Sequence, residues 1–258
     1  METLTVEKPL LENVTTGKKL SVIILLTQNS AFVGNDKPWE LKLLGKSMKQ
    51  WVTMACDNYR IRYVEYDGKQ DIVEVAKANL DDSEYTMVLY SDTPLLRKKT
   101  VEEIVDYCFV KNMSVCKLTR GYVFNNEFLK NAEKIYTAEP QYFDEEDFMT
   151  VYNLKQLMLI EDILKSRIMS FHMKNGVRII DGSSVSIDAD VTIKSGTVIY
   201  PNNRIYGKTY IGNNVTLYAN NIIQESYIDD NCVIEYSVIK NADIPAKSNI
   251  GPFEKILK

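Results

Sequence analysis

Near its carboxyl end this chain carries apolar residues on a six-residue beat: Ile187, Ile193, Ile199, Ile205, Ile211, Leu217 and Ile223. The beat then mixes fives with sixes through Ile228, Ile234, Ile239, Ile244 and Ile250. A helix wants apolar residues three and four apart, and a strand wants them two apart. A period of six satisfies neither, but it fits short flat strands that turn a corner every six residues and stack into a solenoid. Turn formers fall between the anchors: Asp188-Ala189-Asp190, Pro201-Asn202-Asn203, Gly212-Asn213-Asn214 and Asp229-Asp230-Asn231. Asn and Asp accept left-handed backbone and bond their own main chain, which sharp corners require. The expectation is a parallel β-helix over about residues 177–258.

A chain of 258 residues can bury one large core or two ordinary ones. Its net charge of -4 and pI near 5.3 argue against nucleic acid held on a basic surface. Nucleotides stay open, because they need only a few placed cations and backbone amides. No stretch approaches the roughly 18 uninterrupted apolar residues of a membrane helix, and METLTVEKPL is not a signal peptide. Cys56, Cys108, Cys116 and Cys232 lack metal-type spacing. They are expected as free thiols in a reducing cytoplasm.

Upstream of the beat, residues 20–150 alternate strand and helix patterns. Leu20–Leu26 is an unbroken apolar run apart from Ser21, as in a strand buried on both faces. Pro38 to about Asp57 has helical spacing through Leu41, Leu44, Met48, Trp51 and Met54. Strands are expected at Arg60–Tyr66, Thr86–Tyr90, Ser114–Leu118 and Tyr122–Phe124. Thr100 and Glu103 form a capping box for a helix that runs to about Val110. Such alternation implies a mainly parallel sheet covered by helices, with ligands bound beyond the carboxyl ends of the strands. Val151–Lys174 reads as one long helix, ended by Asn175-Gly176. The division expected is 1–150, 151–176 and 177–258.

Several segments, in order, resemble bacterial N-acetylglucosamine-1-phosphate uridyltransferases. VLYSDTPLL (Val88–Leu96) resembles the family's metal-site strand end, and VYNLKQLMLIE (Val151–Glu161) its connecting-helix segment. LGKSMKQWV (Leu44–Val52) is similar to its first helix, and NGVRIIDGSSVSID (Asn175–Asp188) and IGPF (Ile250–Phe253) to parts of its left-handed β-helix. The resemblance implies a Rossmann-like nucleotidyltransferase domain followed by a left-handed parallel β-helix of hexapeptide repeats. It implies transfer of a nucleotidyl group from a nucleoside triphosphate to a sugar 1-phosphate, with a nucleotide sugar as product. It also implies a homotrimer packed through solenoid faces, and Mg2+ held by Asp92 and Asn153. Magnesium wants hard oxygen ligands and keeps several waters, so one carboxylate and one amide can suffice. Asp92 also suits a turn before Pro94, and Asn153 a helix cap.

Departures from the family pattern are equally concrete. Its Gly-rich phosphate loop aligns with TQNSAFVGNDKPWE, where Gln28 and Ser30 replace glycines, Phe32 an arginine and Trp39 a lysine. A triphosphate needs close backbone amides and forked arginine donors. Lys37, Lys42 or Lys46 could supply one charge, and Gly34 some loop freedom. Only about 60 residues separate Asp92 from Asn153, so the sugar lobe is shortened. Thr119 and Gly121 in TRGYVFNNEFL and Gly68 in YDGKQD remain as candidate substrate contacts. The chain's one histidine, His172, lies outside the solenoid, which removes the general base of an acetyltransferase. Near the end of the long helix, it suits contact with that helix's carboxyl terminus. Two functions follow. The Asp/Asn pair favours a compact nucleotidyltransferase. The altered loop favours a non-catalytic nucleotide- or sugar-phosphate-binding protein, or a trimeric scaffold. Arg97-Lys98-Lys99 is expected to be a solvated face.

Overall fold

The computed structural model describes residues 19–28, 37–134 and 140–258. In chain order the elements are β1 (Leu20–Thr27), a 3-10 turn (Pro38–Glu40), β2 (Lys42–Leu43), β3 (Lys46–Ser47) and α1 (Met48–Ala55). Then come β4 (Arg60–Tyr66), α2 (Ile72–Ala78), β5 (Tyr85–Tyr90), α3 (Lys98–Val110), β6 (Val115–Leu118), β7 (Gly121–Asn125) and α4 (Asn126–Asn131). A 3-10 turn (Glu145–Phe148) and α5 (Leu154–Lys174) precede the solenoid strands, which run from Arg178–Ile179 to Lys255–Leu257. Contacts divide the chain into two compact units, residues 1–28 with 52–148 and residues 29–51 with 149–258.

The first unit is a Rossmann-like α/β sheet of order β4-β1-β5-β7-β6. β1 is buried along its whole length, as its apolar run requires. It pairs in parallel with β4 and with β5. The last two strands differ from the parallel expectation: β7 is antiparallel to both β5 and β6. Only Thr119 and Arg120 separate the paired Leu118 and Gly121. Two residues can close a hairpin but cannot make a parallel crossover.

Two helix starts also depart from the local reading. α3 begins at Lys98, and the capping box does not form. Asp147 takes over: its buried carboxylate accepts from the Arg97 amide at 3.2 Å and from the Thr100 hydroxyl. Between Pro38 and Asp57 the helix is confined to α1. β2 and β3 form a hairpin instead, turned by Leu44 and Gly45 at φ 48° and 87°. Positive φ at both central residues is the geometry of a two-residue hairpin turn, which a helix cannot contain.

In the second unit the solenoid is a left-handed parallel β-helix with three ladders of short strands. Ile199 pairs with Leu217 eighteen residues on, Leu217 with Ile234 seventeen on, and Ile234 with Ile250 sixteen on. The drift from sixes to fives is therefore a shortening of the coil, by one residue per turn along this ladder. Every anchor from Ile187 to Ile250 is buried. Asn202, Asn214 and Asn231 stand at φ of 54° to 61°, so the Asn corners are left-handed as expected. Buried polar residues stack at other corners: Asn221 Nδ2 donates to Asn203 Oδ1 at 2.9 Å, and the Ser237 amide donates to Asn221 Oδ1 at 2.9 Å. The corner at Asp188–Asp190 is braced by the β2–β3 hairpin. The Ala189 amide donates to the Leu44 carbonyl at 3.0 Å, and Lys46 pairs with Asp190 at 2.6 Å.

α5 starts one residue after Asn153, whose side chain caps it, and ends at Asn175 before Gly176 at φ 85°. His172 is 2% exposed, and its Nδ1 has no partner among the described residues. Burial holds the imidazole below its ordinary value. It is therefore a neutral core residue, not the cation at a helix carboxyl terminus that its position suggests, because burial penalises the charged form.

Two outcomes follow for stability. Ile205→Asp should lower the unfolding free energy by about 3 kcal/mol or more, since it buries an unpaired carboxylate. Urea denaturation with an unchanged midpoint would refute the inward assignment. For His172, the unfolded imidazole takes up a proton near its ordinary pKa of ~6.5, while the folded one resists until lower pH. This contribution is intact above ~6.5 and shrinks as pH falls below it. The melting temperature should therefore drop less on acidification in His172→Leu than in the parent chain. Equal drops in a pH series of thermal melts would rule the linkage out.

Candidate functional site

Because β4, β1 and β5 are parallel, their carboxyl ends at Tyr66, Thr27 and Tyr90 share one sheet edge. The β6–β7 turn reaches the same edge, since Tyr122 pairs with Val88. Gly121 makes that pairing possible. It sits at φ 138°, and a Cβ there would lie 2.4 Å from the Val88 carbonyl oxygen. Only glycine allows so close a backbone approach.

Asp92 lies just beyond β5, and its side chain is 7% exposed. Arg120 forks onto it: Nε donates to Oδ1 at 3.2 Å and Nη2 to Oδ2 at 2.6 Å. Thr27 Oγ1 also donates to Oδ2, at 3.3 Å. The Thr27 amide donates to Ser91 Oγ at 3.2 Å, which ties the ends of β1 and β5 together. The Arg120 guanidinium lies 4.0 Å from the centre of the Tyr90 ring. Tyr66 meets Tyr90 edge to face at 6.0 Å. Burial pushes the Tyr90 phenol up to about 12, with neighbouring Tyr66 adding to the shift. The tyrosines here are therefore neutral donors, and the charged groups are Asp92 and Arg120.

The residues marked out by sequence fall in both units. Asp92, Gly68, Thr119 and Gly121 belong to the first. Thr119 is exposed in the hairpin turn beside Arg120. Gly68 lies in the turn after β4 at φ 83°, with open space where a Cβ would stand. Lys37, Lys42 and Asn153 belong to the second unit. Both lysines are exposed. Asn153 Oδ1 accepts from the Gln156 amide at 2.9 Å, capping α5. Trp39 is buried, and Ser30, Phe32 and Gly34 lie outside the described residues. The basic run is spent on carboxylates: Arg97 pairs with Asp147 and Asp144, Lys98 with Asp57 and Lys99 with Glu103. Among the described residues, no group of three or more His, Cys, Asp or Glu gathers as for a metal.

Sequence reasoning passed over Arg120, Tyr90 and Tyr66. A signal existed for the first. Two strand-like runs separated by two or three residues read as a hairpin, and a residue at its tip is displayed.

No family model matches the chain. Among curated proteins it is similar to "Bifunctional protein GlmU" of Clostridium kluyveri, 41% identical over 130 residues, covering 50% of this chain and 28% of that protein. The protein of the same name from Clostridium beijerinckii is 42% identical over 111 residues, or 43% of this chain and 24% of the relative. That from Clostridium acetobutylicum is 31% identical over 188 residues, or 69% of this chain and 41% of the relative. Matches thus span less than half the length of these relatives. Over those residues the chain is GlmU-like.

If the Gly121 approach holds the hairpin against β5, Gly121→Ala should cost about 2 kcal/mol or more, from strain at positive φ and a clash with backbone. A chemical-denaturation midpoint equal to the parent's would show that the hairpin can shift without cost.

Proposed function

We propose that this GlmU-like chain is a sugar-phosphate nucleotidyltransferase-like protein, related in chemistry to UDP-N-acetylglucosamine pyrophosphorylase. It takes a nucleoside triphosphate or nucleotide sugar at the carboxyl end of β4-β1-β5 and turns it over weakly. One observation carries this reading: the corner of Asp92, Arg120, Tyr90 and Tyr66 at the edge where open α/β sheets receive ligands. Half-buried tyrosines offer ring faces and hydroxyl groups to a base or a sugar. Thr119, Gly121 and Gly68 lie on turns of the same unit and complete the candidate contacts. Free buried thiols fit a reducing compartment such as the cytoplasm.

Weak turnover follows from charge. Nucleotidyl transfer is mostly positioning and neutralisation of phosphate oxygens, and one placed arginine can be worth about a thousandfold or more in rate. Phe32 and Trp39 stand where the family has cations. In family terms magnesium would be held by Asp92 and Asn153. The donor chemistry is right, but as arranged Asp92 is forked by Arg120 and Asn153 is spent on its cap.

The test is a thermal-shift panel of UTP, UDP-N-acetylglucosamine and N-acetylglucosamine 1-phosphate, followed by a coupled pyrophosphate assay. A ligand that binds only the folded state raises its stability with the logarithm of concentration over Kd. A shift with at least one compound, reduced in Tyr90→Ala, is the expected result. A silent panel would sink the binding reading. Robust pyrophosphate release that disappears in Asp92→Asn would sink the weak-turnover reading.

A second part of the proposal is a homotrimer built on the solenoid. Aromatic pairs mark its outer surface: Tyr210 stacks on Tyr227 at 4.6 Å, and Tyr200 meets Tyr218 at 5.1 Å. Tyr218 and Tyr227 are more than 40% exposed. Exposed aromatic patches of this kind mark association surfaces, and closed symmetry is the usual outcome. Sedimentation equilibrium should return three times the chain mass, and a monomer at micromolar concentration would refute it.

A further inference from the structure

The Asp92–Arg120 pair carries an inference beyond the ligand reading. Asp92 is the carboxylate that the family resemblance gives to a divalent cation. Both its oxygens accept from one guanidinium, and one also accepts from Thr27. The carboxylate is almost fully buried, while the Arg120 side chain is 35% exposed. Magnesium demands near-octahedral oxygen geometry at short distance and keeps several waters. A carboxylate whose two oxygens are already engaged by Arg120 and Thr27 is poorly placed to complete a shell of that kind. A second cation there would also face the guanidinium at a few ångströms.

Nor is Arg120 a surface side chain that meets an acid by accident. Its backbone is fixed in a two-residue turn between β6 and β7. That turn is pinned to β5 by the Gly121 approach to the Val88 carbonyl. Its planar head rests on Tyr90, at cation–π distance. Three independent constraints thus aim the guanidinium at Asp92. Forked arginine–carboxylate pairs are among the strongest charge-assisted bonds.

We propose that Arg120 is a built-in cation that takes the place of a divalent metal at Asp92, so that this strand end binds its ligands without metal. The substitution changes the local charge. A guanidinium on one carboxylate is formally neutral, whereas Mg2+ on the same carboxylate leaves one positive charge for phosphate. Arg120 is here a specificity-determining residue that excludes metal.

The assignment concerns the edge used in the proposed function and rests on that reading for its ligand. Its test uses the metal alone, so a failed ligand panel leaves it readable. Mn2+ is titrated into the full chain, and free aquo-Mn2+ is followed by electron paramagnetic resonance. The parent chain should leave the free signal untouched. Arg120→Gln keeps an amide donor for Asp92 but removes the charge. It should gain one saturable site, tighter by about tenfold or more, because a unit like charge some 4 Å away is removed. Arg120→Lys, which keeps the charge, should not gain the site, and Asp92→Asn/Arg120→Gln should lose it. A folded Arg120→Gln that captures no Mn2+ overturns the proposal. So does Mn2+ capture by the parent chain that Asp92→Asn abolishes, a result that needs no arginine variant to fold.

Discussion

A solenoid coil closes only if three flat sides and three corners return the chain to a point directly above its start. That constraint organises the second unit. Each side can present one large side chain to the narrow interior, so an apolar anchor must recur at every side. Each corner must turn sharply, so residues that tolerate left-handed backbone recur between them. Parallel ladders then satisfy the backbone groups between coils. The coil can shorten from eighteen residues to sixteen because the loss is taken at the corners while the ladder pairs are kept. Buried Asn203, Asn221 and Ser237 continue the hydrogen bonding around one corner, where apolar residues would orphan main-chain groups.

In the first unit the corresponding constraint is the treatment of buried charge. Asp147 is fully buried and Asp92 nearly so, and both are held by arginine plus hydroxyl donors. A desolvated carboxylate is tolerated only when paired and hydrogen-bonded. Asp147 uses its bonds to close the amino end of α3. Asp92 uses its bonds to join β1, β5 and the β6–β7 turn at one edge. One is a structural cap and the other organises the candidate site, yet the physical reason for each partner set is the same.

Legibility in the sequence follows the range of the interactions. The solenoid was readable because its signal is periodic and local: anchor spacing gives the sides and Asn the corners. β1 was readable because a strand buried on both faces leaves an unbroken apolar run. Errors arose where a local pattern met a non-local competitor. The Thr100–Glu103 capping box lost to Asp147, a carboxylate 47 residues away from Thr100. The helical spacing before α1 lost to a turn at Leu44-Gly45, a local signal that was there to be weighed. Within the candidate site, Asp92, Thr119 and Gly121 came from motif resemblance. Arg120 did not, because its meaning is its partner, 28 residues upstream. A residue type shows what a side chain can bond, but not which bond the fold supplies.

That pairing also sets what the sheet edge can do. Removing Arg120 leaves the Asp92 carboxylate buried and unmatched, which costs about 3–5 kcal/mol for buried pairs in general, whereas the partly exposed Arg120 can turn to solvent when Asp92 is removed. The pair therefore behaves as one neutral, rigid unit, and its stability resists any rearrangement that frees the carboxylate for another cation. A site of this kind can hold a ligand through stacking and hydrogen bonds that exist before and after binding. Accelerating phosphoryl-type chemistry is a different demand, since it requires positive charge aimed at oxygens that become more negative in the transition state. A guanidinium already matched by Asp92 offers little of that differential stabilisation. On the proposed reading, binding and turnover separate on physical grounds at this edge: the tyrosines and the hairpin would serve the first, and the closed ion pair would limit the second.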